Sequence, residues 1–470
     1  MIRLLGSIGR AHVMRPLLLL MLLLSVTGVY SQESLRLSPG DAVELAVRNN
    51  LSLENARIDL DTRQRRADYA WNQFLPSVSV SGTMSRANQA TTQPGITIPA
   101  GVFGPTPVVL SQSYTLPQWS LVGSLSASLN FSFAMIAGMQ ATKANYQAGL
   151  VGYERARLQM ERDIRKTYNS LLLLESNVEL LRESYINAER QAAMAEANYN
   201  AGLVPRLTWL QAQVQVENMK PTIAELENSL KALSANFAMT LGLPYDTVFE
   251  LEPLLDGSFE IPLDVAELIS RAASGKPDIL ELQRNIITLE ATRKATAIQL
   301  YTPFLNLNWG ITQAFNGDPL KDSWFNSDNW RDRGSFSVTL GISLNGLLPF
   351  TSQGQGLRDQ NNQLSSLSIN LAQLIRGTEL EIFTKVNSLE KTQTQAEVQM
   401  AAVELAELSY RLTEEAYRAG LQDFQSVQNS ALALNQAKSQ LLVQQFNYLN
   451  DLLDLEYAVG VPFGTLSSRY

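Results

Sequence analysis

Residues 119–133 read WSLVGSLSASLNFSF, and two interleaved sets of side chains can be separated in them. Leu121, Leu125, Ala127, Leu129, Phe131 and Phe133 are apolar, while Ser120, Ser124, Ser126, Ser128, Asn130 and Ser132 are polar. Period-two alternation puts the first set on one face of a strand and the second on the other. Three further stretches repeat the pattern. Val78, Val80 and Met84 alternate with Ser77, Ser79, Ser81, Thr83 and Ser85. Leu305, Leu307, Trp309 and Ile311 alternate with Asn306, Asn308 and Thr312, and Phe336, Val338, Leu340, Ile342 and Leu344 with Ser335, Ser337, Thr339, Ser343 and Asn345. We therefore expect strands at about 77–88, 119–133, 303–315 and 334–348. A sandwich strand would alternate in the same way. Three features favour a membrane barrel instead: polar faces of uncharged Ser, Thr and Asn, runs matching the 9–11 residues of a tilted spanning strand, and aromatics such as Trp119, Phe131, Phe304 and Phe350 near the ends.

Four strands cannot close a barrel, and open edges in lipid would leave backbone N–H and C=O groups unsatisfied. Several chains must then complete the barrel together. Three copies would give twelve strands, whereas two would give eight, which leaves an interior just wide enough for side chains. The joining segments 86–118 and 316–333 are long and belong on the outer side.

Outside the strands the chain reads as helix. Residues 41–73 and 264–301 are rich in helix formers and end at Pro76 and Pro303, with Gly275-Lys276-Pro277 breaking the second. Only isolated glycines interrupt about 138–200 and 357–419. A helix of such length would run roughly 95 Å. Leu226, Leu230, Leu233 and Phe237, and Leu405, Leu408 and Leu412, step by three and four as in helices packed nearly parallel.

The plan is written twice. Tyr199-Asn-Ala-Gly-Leu203 and Tyr417-Arg-Ala-Gly-Leu421 stand 218 residues apart, as do Leu241-Gly-Leu-Pro244 and Val459-Gly-Val-Pro462. Each half reads helix, strand, long loop, strand, very long helix, helix. The first repeat spans 32–255 and the second 256–470. Ahead of them, Arg3, Arg10 and Arg15 precede the apolar run Leu17–Leu24 and small residues up to Ser31, the pattern of a secretory signal peptide over 1–31. No uninterrupted apolar stretch of spanning length follows.

Composition excludes much chemistry. There is no cysteine, and the one histidine, His12, falls in the leader. Without His or Cys, Ser-His-Asp catalysis, thiolate chemistry and nearly all transition-metal sites are eliminated. Neither a metal, a cofactor nor a catalytic residue is expected, and no enzyme activity. Lys+Arg 37 against Asp+Glu 45 gives a net charge of −8; three of the bases and none of the acids lie in 1–31, leaving −11 beyond it. Nucleic acid is a poor partner for such a chain.

With this order of elements, the Tyr-x-x-Gly-Leu turns and the Gly-Leu-Pro and Gly-Val-Pro ends, the sequence resembles the TolC-type outer-membrane efflux protein family over essentially the whole chain after the leader. The resemblance implies an α+β membrane protein: a homotrimer with a twelve-stranded transmembrane β-barrel, four strands per chain, continued by a long periplasmic α-helical barrel. It implies the outer-membrane channel of a tripartite efflux or type I secretion system. Substrates would arrive from an inner-membrane RND or ABC transporter through a periplasmic adaptor. The alternative is a periplasmic coiled-coil adaptor or scaffold without a barrel. By the same resemblance the turns Gly202-Leu203 and Gly420-Leu421 are the adaptor-docking helix tips and form the periplasmic gate. Tyr417 falls on the family's gate tyrosine. The family's gate arginine, two residues past the glycine, falls on Gln422, and its acidic positions, six and nine past it, fall on Ser426 and Asn429; the sixth in the first half falls on Thr208. Asp423 and Arg206 are the nearby charges that could supply a link between helices. An entrance lacking the carboxylates should be weakly selective for cations.

Overall fold

The computed structural model describes residues 35–101, 104–253 and 264–466. The expected leader at 1–31 and the expected boundary between repeats at 255/256 lie outside the described residues. In chain order the elements are β1 (Leu35–Leu37), α1 (Pro39–Asn49), α2 (Leu51–Asp68), β2 (Ser77–Arg86), β3 (Thr92–Gln93), β4 (Thr97–Ile98), β5 (Val108–Val109), β6 (Tyr114–Thr115), β7 (Trp119–Ser132), α3 (Phe133–Asn200) and α4 (Arg206–Thr240). They continue with β8 (Phe249–Leu251), α5 (Val265–Gly275), α6 (Pro277–Tyr301), β9 (Phe304–Phe315), β10 (Trp330–Asp332), β11 (Ser335–Gly341), α7 (Ser352–Arg418) and α8 (Phe424–Val459). The chain divides into two compact units. One takes the described parts of Met1–Glu54, Arg157–Ser270 and Leu380–Tyr470; the other takes Asn55–Ala156 and Arg271–Glu379. Residues on both sides of the expected repeat boundary enter each unit, so neither half of the sequence is a compact body by itself.

The second unit holds the sheet, in the order β2–β7–β9–β11 with every neighbour antiparallel and β10 on the far end of β9. Register keeps like with like. Ser77, Ser128, Asn308 and Ser337 form one row across the four strands, and Val78, Ala127, Trp309 and Phe336 form the next. On the polar face, serine hydroxyls pair across β2 and β7: Ser77 with Ser128, Ser79 with Ser126, Ser81 with Ser124 and Ser85 with Ser120, at 2.7–2.8 Å. The Asn306 amide donates to Asn130 across β9 and β7. On the opposite face Val80, Phe336 and Leu340 remain 80%, 67% and 74% exposed. Among the described residues β2 pairs only with β7 and β11 only with β9, so each keeps one open edge.

Where strand bounds differ from the alternation, backbone pairing decides. The expected strand at 334–348 ends at Gly341, because its partner β9 starts at Phe304, directly opposite. The Phe304 ring also fills the space a side chain at 341 would need: a Cβ there would lie 2.6 Å from the ring. Ile342 and Leu344 continue the alternation in sequence but have no strand to pair with, and Leu344–Leu347 coils into a 3-10 turn. The expected helix at 41–73 is broken at Asn50, whose side chain accepts N–H groups from Ser52 and Leu53 and so caps α2. The break at Gly275-Lys276-Pro277 occurs between α5 and α6 as expected, with Pro277 opening α6. Among the described residues no helix is long and apolar enough to cross a membrane.

The first unit is helical apart from β1 and β8, which pair in parallel. Its core joins Leu37, Val43 and Ala46 to Ile164, Tyr168 and Leu171 of α3, Phe237 of α4 and Phe446 of α8. Tyr168 is fully buried, and its hydroxyl hydrogen is shared between the carbonyls of Leu37 (2.8 Å) and Glu252 (2.9 Å). Burial pushes that phenol's pKa up to about 12. Nearby, α3, α7 and α8 are tied by charge. Lys166 lies 3.0 Å from both carboxylate oxygens of Asp454, Lys385 lies 2.9 Å from Asp454 and 3.1 Å from Asp451, and the Ser388 hydroxyl donates to Asp451 at 2.6 Å. Burial works to raise the Asp454 pKa, but hydrogen bonds from the two ammonium groups outweigh it and hold the carboxyl below its ordinary value of 3.8.

Candidate functional site

The two Tyr-x-x-Gly-Leu turns both lie in the helical unit and close on the same backbone pattern. After α3, Gly202 adopts φ +75°. Its N–H donates to Tyr199 O at 2.9 Å, and the Leu203 N–H donates to Asn198 O at 2.8 Å. After α7, Gly420 also has φ +75°, with Gly420 N–H to Tyr417 O at 2.9 Å and Leu421 N–H to Ala416 O at 2.8 Å. These are Schellman caps, in which glycine takes the left-handed conformation costly for other residues. The residue after the glycine commonly folds back onto the helix in such caps. Here Leu203 and Leu421 stay 74% and 80% exposed, free to contact something outside the chain.

The structure brings the two turns together through small residues. Tyr417 at the end of α7 packs beside Phe424 of α8, with ring centroids 6.0 Å apart, in a cluster with Ala195 of α3 and Ala212 of α4. Phe424, Ala195 and Ala212 are buried. The Tyr417 hydroxyl and the Trp209 indole N–H are buried without a hydrogen-bond partner, and Trp209 stacks on Tyr199 at 5.5 Å and 11°. Trp209 was missed by sequence reasoning. The signal was its isolation, since the other five tryptophans fall at or near the strands and their loops.

The remaining sequence-selected residues line the start of α4 and α8. Asp423 is the N-cap of α8 and accepts the Ser426 N–H at 2.7 Å. The Ser426 side chain, with its backbone N–H second, holds the exposed Asp423 carboxyl below the ordinary range. Asn429, exposed, accepts from the Gln425 amide at 3.2 Å, and Gln422 is exposed in the turn itself. Arg206 is the first residue of α4 and exposed; Thr208, half-buried, gives its N–H to Pro205 O at 3.0 Å. Arg206 and Asp423 are not joined by an ion pair within the chain. The charged pair beside the turn is Arg418–Glu414, at 2.6 Å and largely solvated on the arginine side, worth little to stability. Among the described residues no group of three or more Asp, Glu, His or Cys could hold a metal ion. The site's exposed groups are the Gln422 and Asn429 amides, the Arg206 and Asp423 charges and two leucines, beside a cluster of aromatic rings.

The chain thus combines a sheet with hydroxyls on one face and apolar side chains on the other with two helices of 68 and 67 residues. Residues 42–243 match the family model described as outer membrane efflux protein. Among curated proteins it is 22% identical over 351 residues to the pyoverdine export outer membrane protein OpmQ of Pseudomonas aeruginosa, covering 72% of this chain and 70% of OpmQ. The fold matches the Campylobacter jejuni CmeC outer membrane channel with a TM-score of 0.71 at 16% identity, over 90% of this chain and 85% of that one. It matches the outer membrane protein VceC of Vibrio cholerae with a TM-score of 0.67 at 18% identity, over 90% and 96%.

Proposed function

We propose that three copies of this chain close a twelve-stranded barrel in the outer membrane, continued by a periplasmic barrel of their helices. This is the passive exit duct of a tripartite efflux or type I secretion system. In this reading the two halves are a duplication, and the duct is loaded by an inner-membrane RND or ABC transporter through a periplasmic adaptor seated on the tips around Leu203 and Leu421. The observation that carries it is the sheet: among the described residues β2 and β11 each end in an unpaired edge, and their apolar side chains Val78, Val80, Phe336, Val338 and Leu340 are exposed. In lipid those edges must pair, and copies of the same chain satisfy them by closed symmetry. Seam leucines support the same reading. Leu405, Leu408 and Leu412 of α7 are 68%, 42% and 54% exposed in the single chain, as a helix awaiting neighbours would be. A periplasmic scaffold has no use for a bare apolar sheet face.

The polar face of the sheet and the tips carry few charges, so the duct would select weakly and leave substrate choice to the pump. Membrane fractionation with amine crosslinking, followed by deletion and drug-sensitivity profiling, tests the proposal. A crosslinked trimer in the outer membrane and sensitisation to several compounds are expected. A soluble monomer whose loss changes no sensitivity would refute it.

A further inference from the structure

The two loops at the end of the sheet remote from the helices have opposite chemistry. The loop between β9 and β11 carries Asp318, Lys321, Asp322, Asp328, Arg331, Asp332 and Arg333. The loop between β2 and β7 carries no charge, and no Asp, Glu, Lys or Arg occurs anywhere from Ala87 to Thr142. The described residues of this second loop pair as a hairpin. Ala87 N–H donates to Gln118 O, β3 pairs with β6, β4 pairs with β5, and Leu110 N–H donates to Ile96 O. It nevertheless presents Ile96, Val109 and Leu110 to solvent, at 61%, 58% and 62% exposure.

We propose that the hairpins 87–118 of neighbouring subunits pack on one another around the symmetry axis, through Ile96, Val109 and Leu110, and form a neutral apolar collar that narrows the outer mouth. The proposal rests on the trimeric reading above. Near a rotation axis every side chain faces its own copies, so any charge there is set against an identical charge. A neutral, apolar segment is what such a position accepts, and exposed apolar groups gain by burying one another. The charged loop 316–333 would repel itself there and belongs outward, in water. Both loops adjoin an open edge of the sheet, the hairpin through β2 and the charged loop through β11, so a neighbouring copy paired at those edges comes within reach of the hairpin.

The chain has no cysteine, so each introduced thiol is unique. The variants Val109→Cys, Ile96→Cys and, in the charged loop, Ser323→Cys are each oxidised in intact outer membranes, while a parallel sample is treated with an amine crosslinker. All three positions are exposed, so folding should be preserved. We expect amine-crosslinked trimer in every variant, disulfide-linked dimer for V109C and I96C, and none for S323C. Replacing residues 91–116 by a short Gly-Ser turn should raise single-channel conductance severalfold. Trimer without any disulfide at 96 or 109 overturns the collar and leaves the trimer standing, and so does reaction of V109C with a lipid-confined thiol probe in place of disulfide. Absence of trimer overturns both, and unchanged conductance after hairpin replacement overturns the narrowing.

Discussion

Within the helical unit, the region around Asp454 and the region around Gly420 join some of the same helices by contrasting means. At Asp454 three helices are tied by two lysines, two aspartates and a serine, at 2.6–3.1 Å. At Gly420 the helices meet through alanines and two aromatic rings, and the polar groups serve their own helix ends: Asp423 caps α8 and Arg418 pairs with Glu414 one turn back. Salt bridges in a partly buried site fix geometry, because breaking one strands its partner. Small apolar contacts and self-contained caps hold each helix end while committing it little to its neighbours. The comparison teaches where the unit resists movement and where it can yield, and the proposed entrance lies at the yielding end.

Substitutions can break this contrast. The largest effect is expected for Asp454→Ala, which strands Lys166 and leaves Lys385 with Asp451 alone; a loss of about 1–3 kcal/mol, below that of a fully buried pair because the side chains are part-exposed, should appear as an earlier melt of the helical signal in detergent. Gly420→Ala should cost less, about 1–2 kcal/mol for forcing an alanine into left-handed backbone, since its new Cβ meets no atom within 4 Å. The two sites share no partner, so the double variant should lose the sum in the same melt. Acidity separates the regions further. The Asp454 carboxyl titrates below 3.8, so its contribution is complete above that value and is lost as pH falls through the lowered one. The Asp454 contribution should therefore be flat from pH 8 down to 5 and fall only in stronger acid, so that the acid-induced drop in melting temperature is smaller in D454A than in the wild type. The smallest effect is expected for Asp423→Ala, which removes an exposed cap; amide hydrogen exchange should quicken in the first turn of α8 and nowhere else.

How much of this could be read beforehand depended on whether a feature is local. Alternation in 77–85, 120–133 and 304–312 is a local property, so those strands were legible. The overrun at 342–348 was not, because its strand stops where β9 runs out, and that partner lies on the far side of a long loop in sequence. Glycine turns after α3 and α7 were legible for the same reason as the strands, and the structure gives both a positive φ. The tie among Lys166, Lys385, Asp451 and Asp454 spans 288 residues at its widest and left no mark on any single helix. Tip residues carried over by resemblance, from Tyr417 to Asn429 and from Gly202 to Thr208, do gather at the ends of four helices. The buried partners Ala195, Ala212 and Phe424 were invisible, since small residues on long helices are everywhere. Asp423 illustrates a limit of another kind: its charge invited an inter-helix role, and the fold uses it as a cap.

The account stands or falls on this chain forming a water-filled pore with a neutral entrance. Planar-bilayer recording of the purified protein is the most direct test. Steady conductance that multivalent cations at low micromolar concentration leave largely unblocked is the predicted result, with block appearing once Ser426→Asp and Asn429→Asp are introduced together. Absence of any conductance, or strong block of the unaltered protein by the same cations, would contradict it.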